Sequence, residues 1–440
     1  MRALVAALVL VLGFVCGAPA VAEIGAIDSV PAATLLLPYF EVGPGVTTLF
    51  SINNASPEPQ VAHVVLWTNL SRPTLDFTVY LTGYDVITVN LAELFSTGAI
   101  PRTGPNLNQS TATQTDVNGS APGDFSFPDV NFPGCVFPLP SNIPSSLLSY
   151  IQRVHNGQSA PAGFPNSGLC GGTSQPPDTY VGYLTVDAAN ACSVAFPDTP
   201  GYFQSGGLGF ASDNNVLWGD WFLVDTVNNF AQGDNLVHIE AQAAGATAPF
   251  FEPGNYTFYG RYVGGTGIDD REPLATTWAT RYFSGAGGGG FDDDSDVLCW
   301  RDSGRNESAY FNCAITPTPF PLAQNQLVIF DEFENPIAVE DSPFSPPPTL
   351  DFVLPCPWET NRTGALDFGS IFDFGWFYLN LNTVTGSVFD PYKQSWVGVL
   401  HSASGLFSVG LEGIALDSAL SKTFTVTTTP NSVLLPVNGN

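Results

Sequence analysis

The chain has 440 residues, and only 12% of them are charged, about half the share of an ordinary soluble protein. Acidic side chains outnumber basic ones by 40 to 12, which gives a formal net charge of -28 at pH 7. Such a chain can hardly assemble the basic stripe that binds phosphates, so its composition argues against a nucleic-acid partner. The same charge disfavours an anionic lipid surface.

The first 22 residues have the features of a secretory signal peptide. Arg2 supplies a positive charge ahead of an apolar run that is too short to favour a spanning helix. The small residues at both ends of residues 20–22 suit signal peptidase, so the exported chain is expected to begin at Glu23. Cleavage would also remove Cys16. A lipoprotein anchored at Cys16 is the weaker alternative, because the bulky Val15 precedes it.

After the signal peptide, no stretch approaches the roughly 20 apolar residues that a membrane helix needs. We therefore expect no transmembrane segment in the exported protein. The pattern leaves its location open between the periplasm, the cell surface and the extracellular medium.

The rest of the chain reads as a succession of short strands. Runs rich in β-branched and aromatic residues alternate with turn residues. These runs cover residues 35–42, 47–52, 61–67, 75–82, 180–186, 216–225, 236–241, 256–263, 276–283, 326–333, 375–381, 396–401, 406–411 and 423–428. Because no βαβ rhythm occurs, they predict an all-β, antiparallel β-sandwich architecture, as one large or two closely packed sandwiches.

Composition divides the chain further. Residues 23–97 are predicted to be the N-terminal strands of the sandwich, and residues 179–440 its main region. Between them, residues 98–178 are rich in Pro, Gly, Ser and Asn and predict a long irregular insertion. Apolar side chains recur at helical spacing within residues 144–154, so the insertion is expected to carry one short helix.

Four segments, taken as a set, carry a resemblance to other proteins: residues 37–42 (LPYFEV), 215–220 (NVLWGD), 270–274 (DREPL) and 375–381 (GWFYLNL). Together they resemble a group of uncharacterised exported bacterial β-rich proteins. The resemblance spans most of the exported chain and implies export and a bacterial origin. It includes no catalytic motif and implies no activity.

Six cysteines remain after signal removal, an even number that favours three disulfides in an exported protein. Six cysteines allow fifteen pairings. Zinc is the competing interpretation, although no CxxC or CxH pair occurs. A turn-forming group between two strand-like runs predicts the bridge Cys299–Cys313. Cys135 and Cys170 bracket the expected helix and are predicted to form the second bridge. Elimination leaves Cys192–Cys356 as the third.

A glycine run followed by alternating aspartates is the sharpest candidate site. Asp292, Asp294 and Asp296 have the D-x-D-x-D spacing that can direct oxygens at one Ca²⁺ ion. The match to an EF-hand loop is partial, because Val297 and Ser303 stand where the turn glycine and the bidentate glutamate belong. An exposed, solvated acidic loop is therefore favoured over an ordered site.

Aromatic residues offer a second kind of candidate. Trp218 and Trp221 flank Gly219-Asp220, and their odd spacing places them on opposite faces of a strand. We expect one of them in the core and the other at the surface. The four histidines, which lie far apart in the sequence, are expected to be structural or solvent-facing: His63, His155, His238 and His401.

No nucleophile elbow, zinc-protease helix, P-loop or dinucleotide fingerprint occurs, so no catalytic residue is assigned. The leading hypothesis is an exported non-enzymatic protein with a binding or structural role at the cell surface or in the extracellular matrix. Its partner would be a surface polymer, a carbohydrate or a protein, and its oligomeric state is open. The alternative is a secreted carbohydrate-active enzyme or lectin-like module, since acids and aromatics are abundant.

Overall fold

The computed structural model describes residues 30–100, 143–164, 166–191, 195–242, 257–263, 268–283, 295–302, 310–315, 317, 327–334, 336–338, 356–363, 374–381, 394–402 and 408–416. Within these ranges the chain forms 19 strands in four antiparallel sheets, with three helices. The prediction of an all-β, antiparallel protein is confirmed. The predicted signal peptide and the predicted strand at residues 423–428 lie outside the described residues.

The first sheet has five strands in the order β10-β1-β6-β3-β4. Its strands are β1 (Thr34–Val42), β3 (Gln60–Thr68), β4 (Pro73–Leu81), β6 (Tyr180–Ala189) and β10 (Val237–Ile239). All nine residues of β3 are buried. Because successive side chains of a strand point to opposite faces, this sheet must be covered on both faces.

Pro38 lies inside β1, although β1 is paired on both edges. Proline has no N–H to donate to a neighbouring strand, so it is tolerated in a sheet only at an edge or a bulge. The register between β1 and β6 shifts between Leu37 and Phe40. This irregularity accommodates Pro38, whose carbonyl accepts a hydrogen bond from Thr360.

The second sheet has the order β5-β2-β8-β9, with a short strand β7 also paired to β2. Its strands are β2 (Val46–Asn54), β5 (Val86–Asn90), β7 (Leu217–Trp218), β8 (Asp220–Asp225) and β9 (Phe230–Asn235). The sequence predicts a single run over residues 216–225, but Gly219 divides it into β7 and β8. A side chain at Gly219 would collide with the carbonyl of Ser51 and with Leu236, so glycine is required there.

Two further sheets are formed mainly by the C-terminal part of the chain. The third, in the order β15-β12-β17-β18, contains β12 (Ser295–Asp302), β15 (Thr360–Thr363), β17 (Gln394–Ser402) and β18 (Ser408–Glu412). The fourth, in the order β14-β13-β16-β11-β19, contains β11 (Thr277–Phe283), β13 (Leu327–Asp331), β14 (Pro336–Ala338), β16 (Phe374–Asn380) and β19 (Ile414–Ala415).

These sheets are packed as layers around one continuous core. Strand β1 contacts β2, β7 and β8 of the second sheet and also β12 and β15 of the third. The first sheet thus packs against both, and β18 of the third sheet also contacts β9 of the second. The third sheet packs in turn on the fourth, where the buried Trp278 donates to the Ser395 hydroxyl at 2.9 Å. The layers therefore continue from one half of the chain into the other.

Three helices occur among the described residues: α1 (Leu91–Thr97), α2 (Ser145–His155) and α3 (Gly260–Val263). Helix α2 confirms the helix expected within residues 144–154. Helix α1 was not expected, although its signals are present in the sequence: Asn90 caps its N-terminus, and Gly98 ends it at a φ of 74°. None of the three is long and apolar enough to cross a membrane.

Helix α3 contradicts the strand expected over residues 256–263. Tyr259 and Tyr262, three residues apart, lie on one side of a helical turn and reach the first sheet together. The Tyr259 hydroxyl donates to Asp187 at 3.0 Å, and the Tyr262 ring stacks on Trp67. The period-two aromatic pattern predicts a strand here, and this prediction is wrong because the segment packs against the first sheet as a helix.

A largely buried ion network joins the first sheet to the loop before β11. Arg271 is 0% exposed and lies 3.6 Å from Asp187, 3.3 Å from Asp269 and 3.6 Å from Asp213. Its guanidinium also donates to the hydroxyl of Thr34. Burial raises the pKa of Asp269, an effect that the positive charge of Arg271 opposes. One cation therefore holds three carboxylates inside the protein.

Candidate functional site

A cleft of about 600 Å³ lies where the two halves of the chain meet. One wall is N-terminal and includes Tyr39 of β1, Asn69 after β3 and the loop of residues 170–175. The other wall is C-terminal and includes residues 311–313 and 357–363. Ligand sites form preferentially at such junctions, and the volume falls in the usual range for them. The cleft is the candidate functional site.

A disulfide between Cys170 and Cys313 ties the two walls together, with a Cα separation of 5.1 Å. Both cysteines line the cleft. The bridge forms because Phe311 pairs with Cys170 through two backbone hydrogen bonds, of 2.8 and 3.1 Å. That pairing brings Cys313 beside Cys170.

The second disulfide joins Cys299 to Cys356 at a Cα separation of 5.5 Å. The predicted Cys299–Cys313 pair is therefore wrong. Its premise was a hairpin, but β12 pairs with β15 and β17 instead, and Cys356 lies just before β15.

The other two predicted pairs fail with it. Cys135–Cys170 and Cys192–Cys356 are wrong, because Cys170 and Cys356 are each bound to another cysteine. Cys135 and Cys192 themselves lie outside the described residues.

Neutral polar side chains line both walls of the cleft, among apolar ones. On one wall, the Asn69 amide binds both the hydroxyl and the backbone N–H of Thr173, and Gln175 donates to the same Thr173 hydroxyl at 3.0 Å. On the other wall, Asn361 donates to the Thr363 hydroxyl at 2.9 Å. These bonds fix amides and hydroxyls in place before any ligand arrives.

Arg362 is the one charged side chain that lines the cleft among the described residues. It is ion-paired with Asp296, and its Nη1 atom lies 3.5 Å from a carboxylate oxygen of Glu41. Glu41 also accepts a hydrogen bond of 2.9 Å from the Tyr39 hydroxyl. Burial lowers the pKa of Arg362, but the three neighbours outweigh burial and raise it. The cation is thus already neutralised by the protein.

Trp358 provides the largest aromatic surface of the C-terminal wall. It is half-buried, next to Pro357, in the segment that leads from Cys356 into β15. The next two residues in the sequence, Glu359 and Thr360, are buried and bonded inside the protein. These bonds hold the segment on the protein core, and the Trp358 side chain lines the cleft.

Beneath Trp358 lies a second buried ion network. Arg261 of α3 donates to Asp302 and to Glu359, each at 2.9 Å, and Gln394 donates to Asp302 at 3.1 Å. Burial raises the pKa of Glu359 to about 7, although Arg261 acts in the opposite direction. This network fixes the segment of residues 356–363 on the core.

The structure places the predicted calcium ligands only in part. Asp292 and Asp294 lie outside the described residues. Asp296 is not the exposed residue expected, since its side chain is 17% exposed and paired with Arg362 at the start of β12. Within the ranges described above, no cluster of three or more His, Cys, Asp or Glu residues could hold a metal ion. The calcium site stays a prediction.

Trp218, Trp221 and the four histidines are not among the residues that line the cleft. Trp221 is buried, whereas Trp218 is half-buried in the second sheet and its ring centroid lies 6.0 Å from that of His238. All four histidines are buried, so the expectation of a structural role is retained and a solvent-facing one is wrong. Burial lowers the pKa of His63 and of His155 to about 4.

Among the described residues, His63 and Asp76 form the closest approach of an imidazole to a carboxylate, at 3.9 Å. The two nitrogens of His63 contact the Thr78 hydroxyl and the Ala195 carbonyl, each at 3.1 Å. Burial raises the pKa of Asp76 to about 7, and its Oδ2 atom has no hydrogen-bond partner among the described residues. A buried carboxylate without compensation destabilises the folded state when it is charged.

We expect Asp76→Asn to raise the free energy of unfolding at pH 8 by about 1–3 kcal/mol. The folded pKa lies above the unfolded one. The wild-type carboxyl therefore contributes its full stability below pH 4 and loses it as pH rises through about 7. Urea denaturation from pH 4 to 8 measures the difference, which should shrink toward pH 4. Asp198→Asn, at an exposed position, is the control and should leave stability unchanged at every pH.

Comparisons with known proteins found no match: no family model, no curated protein and no solved structure is significantly similar to this chain. The resemblance to exported bacterial proteins therefore stays a prediction. The segments that carry it have structural positions, since residues 37–42 and 375–381 lie largely within β1 and β16. Arg271 of the third segment is the centre of the buried ion network.

Proposed function

We propose that this chain is an exported, non-enzymatic binding protein that acts at the cell surface or in the extracellular matrix. The observation that carries the proposal is the cleft between the two halves, with a lining that is preorganised and almost uncharged. Export is supported by the N-terminal sequence and by the two disulfides, since disulfides persist in oxidising compartments.

The chemistry of the lining argues against catalysis in this cleft. Among the described residues that line it, none is Asp, Glu or His. Hydrolysis of a glycosidic bond generally uses a pair of carboxylates flanking that bond. The nearby carboxylates, Glu41 and Asp296, are engaged by Arg362. Ser174 lines the cleft, but no general base beside it is among the lining residues.

The rival is a secreted carbohydrate-active enzyme, and one experiment separates the two functions. The secreted protein is screened against polysaccharides, oligosaccharides, peptides and small metabolites, with thermal unfolding and product formation recorded in parallel. We expect at least one class to raise the unfolding temperature without any product. Turnover of a polysaccharide would replace the binding function with the enzymatic one. A protein that no compound stabilises would refute the proposal.

A further inference from the structure

We infer that the cleft binds a neutral, hydroxyl-rich ligand, namely a short uncharged saccharide, with Trp358 as its stacking surface. The inference rests on the proposed binding function and names the ligand class of the same site. It follows from the hydrogen-bonding groups, the charge and the aromatic surface of the cleft.

The cleft presents amides and hydroxyls among its hydrogen-bonding side chains. An amide or a hydroxyl can both donate and accept, as the hydroxyls of a sugar do. Gln175 uses its Nε2 to donate to Thr173. Its Oε1 has no hydrogen-bond partner among the described residues and can accept from a ligand. Asn361, on the opposite wall, donates to the Thr363 hydroxyl, and its Oδ1 accepts a hydrogen bond of 3.4 Å from the backbone N–H of Trp358. A hydroxyl-bearing ring between the walls would meet the Gln175 acceptor on one side and amide and hydroxyl groups on the other.

The charges at the cleft disfavour an anionic ligand. A phosphate or carboxylate ligand needs an available cation, and charge-assisted bonds to Arg are the usual solution. Here Arg362 faces two carboxylates, Asp296 and Glu41, so the three charges sum to one negative. An anionic ligand would compete with Asp296 for the guanidinium. The overall charge of -28 adds to the repulsion. An uncharged ligand avoids both costs.

Trp358 gives the cleft an aromatic surface. The face of an indole is electron-rich, so it favours the slightly positive C–H groups that one side of a sugar ring presents. Trp358 is half-buried at the cleft, and Pro357 extends the apolar surface next to it. The cleft therefore offers an apolar platform and, around it, polar side chains. This is the combination that a ring with one apolar face and a polar rim requires.

The test uses the full secreted protein and isothermal titration calorimetry. The neutral probes are cello-, xylo- and galacto-oligosaccharides, and the anionic probe is an oligogalacturonate of equal length. We expect at least one neutral probe to bind and the oligogalacturonate to bind at least about tenfold more weakly. We expect Trp358→Ala to reduce the affinity about tenfold and Gln175→Ala about fivefold. Trp358→Phe, which keeps an aromatic ring, should retain most of the binding.

Trp218→Ala is the matched control, because Trp218 is also half-buried but lies in the second sheet. It should leave the affinity unchanged. Preferred binding of oligogalacturonate would overturn the ligand class and leave the binding function intact. Affinity that neither Trp358→Ala nor Gln175→Ala reduces would overturn the site. If only peptides or metabolites bind, the saccharide inference fails while the proposed function stands, whereas no binding of any class removes both.

Discussion

Replacement of Arg271 by methionine is expected to lower the free energy of unfolding by about 3–5 kcal/mol. Methionine keeps much of the length of the side chain but removes the charge. Asp187, Asp269 and Asp213 would then lie in the interior without their cation. Removing one partner of a buried ion network costs more than the network itself contributes, because the remaining charges stay desolvated. Denaturant unfolding followed by tryptophan fluorescence measures the loss.

Arg281→Met is the matched control, since Arg281 is exposed on β11 and its replacement should change stability by no more than about 0.5 kcal/mol. The loss in Arg271→Met should also depend on pH. Burial raises the pKa of Asp213 to about 6 even with Arg271 present. Acid protonates the stranded carboxylates, so the loss should be smaller at pH 4 than at pH 8. Equal losses in the two variants would show that the network does not stabilise the fold.

Removal of the Cys170–Cys313 disulfide, by the double substitution Cys170→Ala with Cys313→Ala, is expected to lower stability by about 5 kcal/mol. The bridge closes a loop with a sequence separation of 143, and long loops lose the most entropy in the unfolded chain. The Cys299–Cys356 bridge, at a separation of 57, is worth about 4 kcal/mol by the same reasoning. Denaturant unfolding of both double variants compares them.

Exposure should also distinguish the two bridges during reduction. Cys313 is exposed, whereas Cys299 and Cys356 are both 0% exposed. A thiol reductant must reach a sulfur atom, so mild reduction should open Cys170–Cys313 first and leave Cys299–Cys356 intact. Alkylation followed by peptide mapping gives the order. Labelling of Cys299 before Cys313, or a linked peptide that joins Cys299 to Cys313, would contradict the structure.

Local pattern was sufficient for most of the strands and for one helix. The run at residues 61–67 corresponds to β3, and the apolar spacing of Ile151 and Val154 corresponds to the buried face of α2. These elements depend on side-chain periodicity, which neighbouring residues determine. The strand predicted over residues 256–263 is wrong, because the rings of this segment pack on the first sheet, and the local pattern contains no information about that contact.

The cleft could not be predicted, because its walls come from segments far apart in the chain. Asn69 and Trp358 line the same space although nearly three hundred residues separate them. The predicted disulfide pairings are wrong for the same reason. Spacing favoured the neighbours Cys299 and Cys313, but cysteine partners are chosen by strand pairing, and β12 pairs with β15. In the sequence, Asn361 and Gln175 look like any other polar residues, so no pattern predicts that they line a cleft.

The layered arrangement determines the order in which the protein can complete its fold. Trp67 and Tyr183 are cross-strand partners on one face of the first sheet, and that face is covered by Tyr262 and Trp300. A chain that emerges from its N-terminus therefore completes this sheet, whose last strand in the sequence is β10, before Tyr262 and Trp300 have been made. During that interval its aromatic surface is open to water and to other chains, which is the condition that favours aggregation. The Cys170–Cys313 bridge, likewise, can close only once residue 313 has been made.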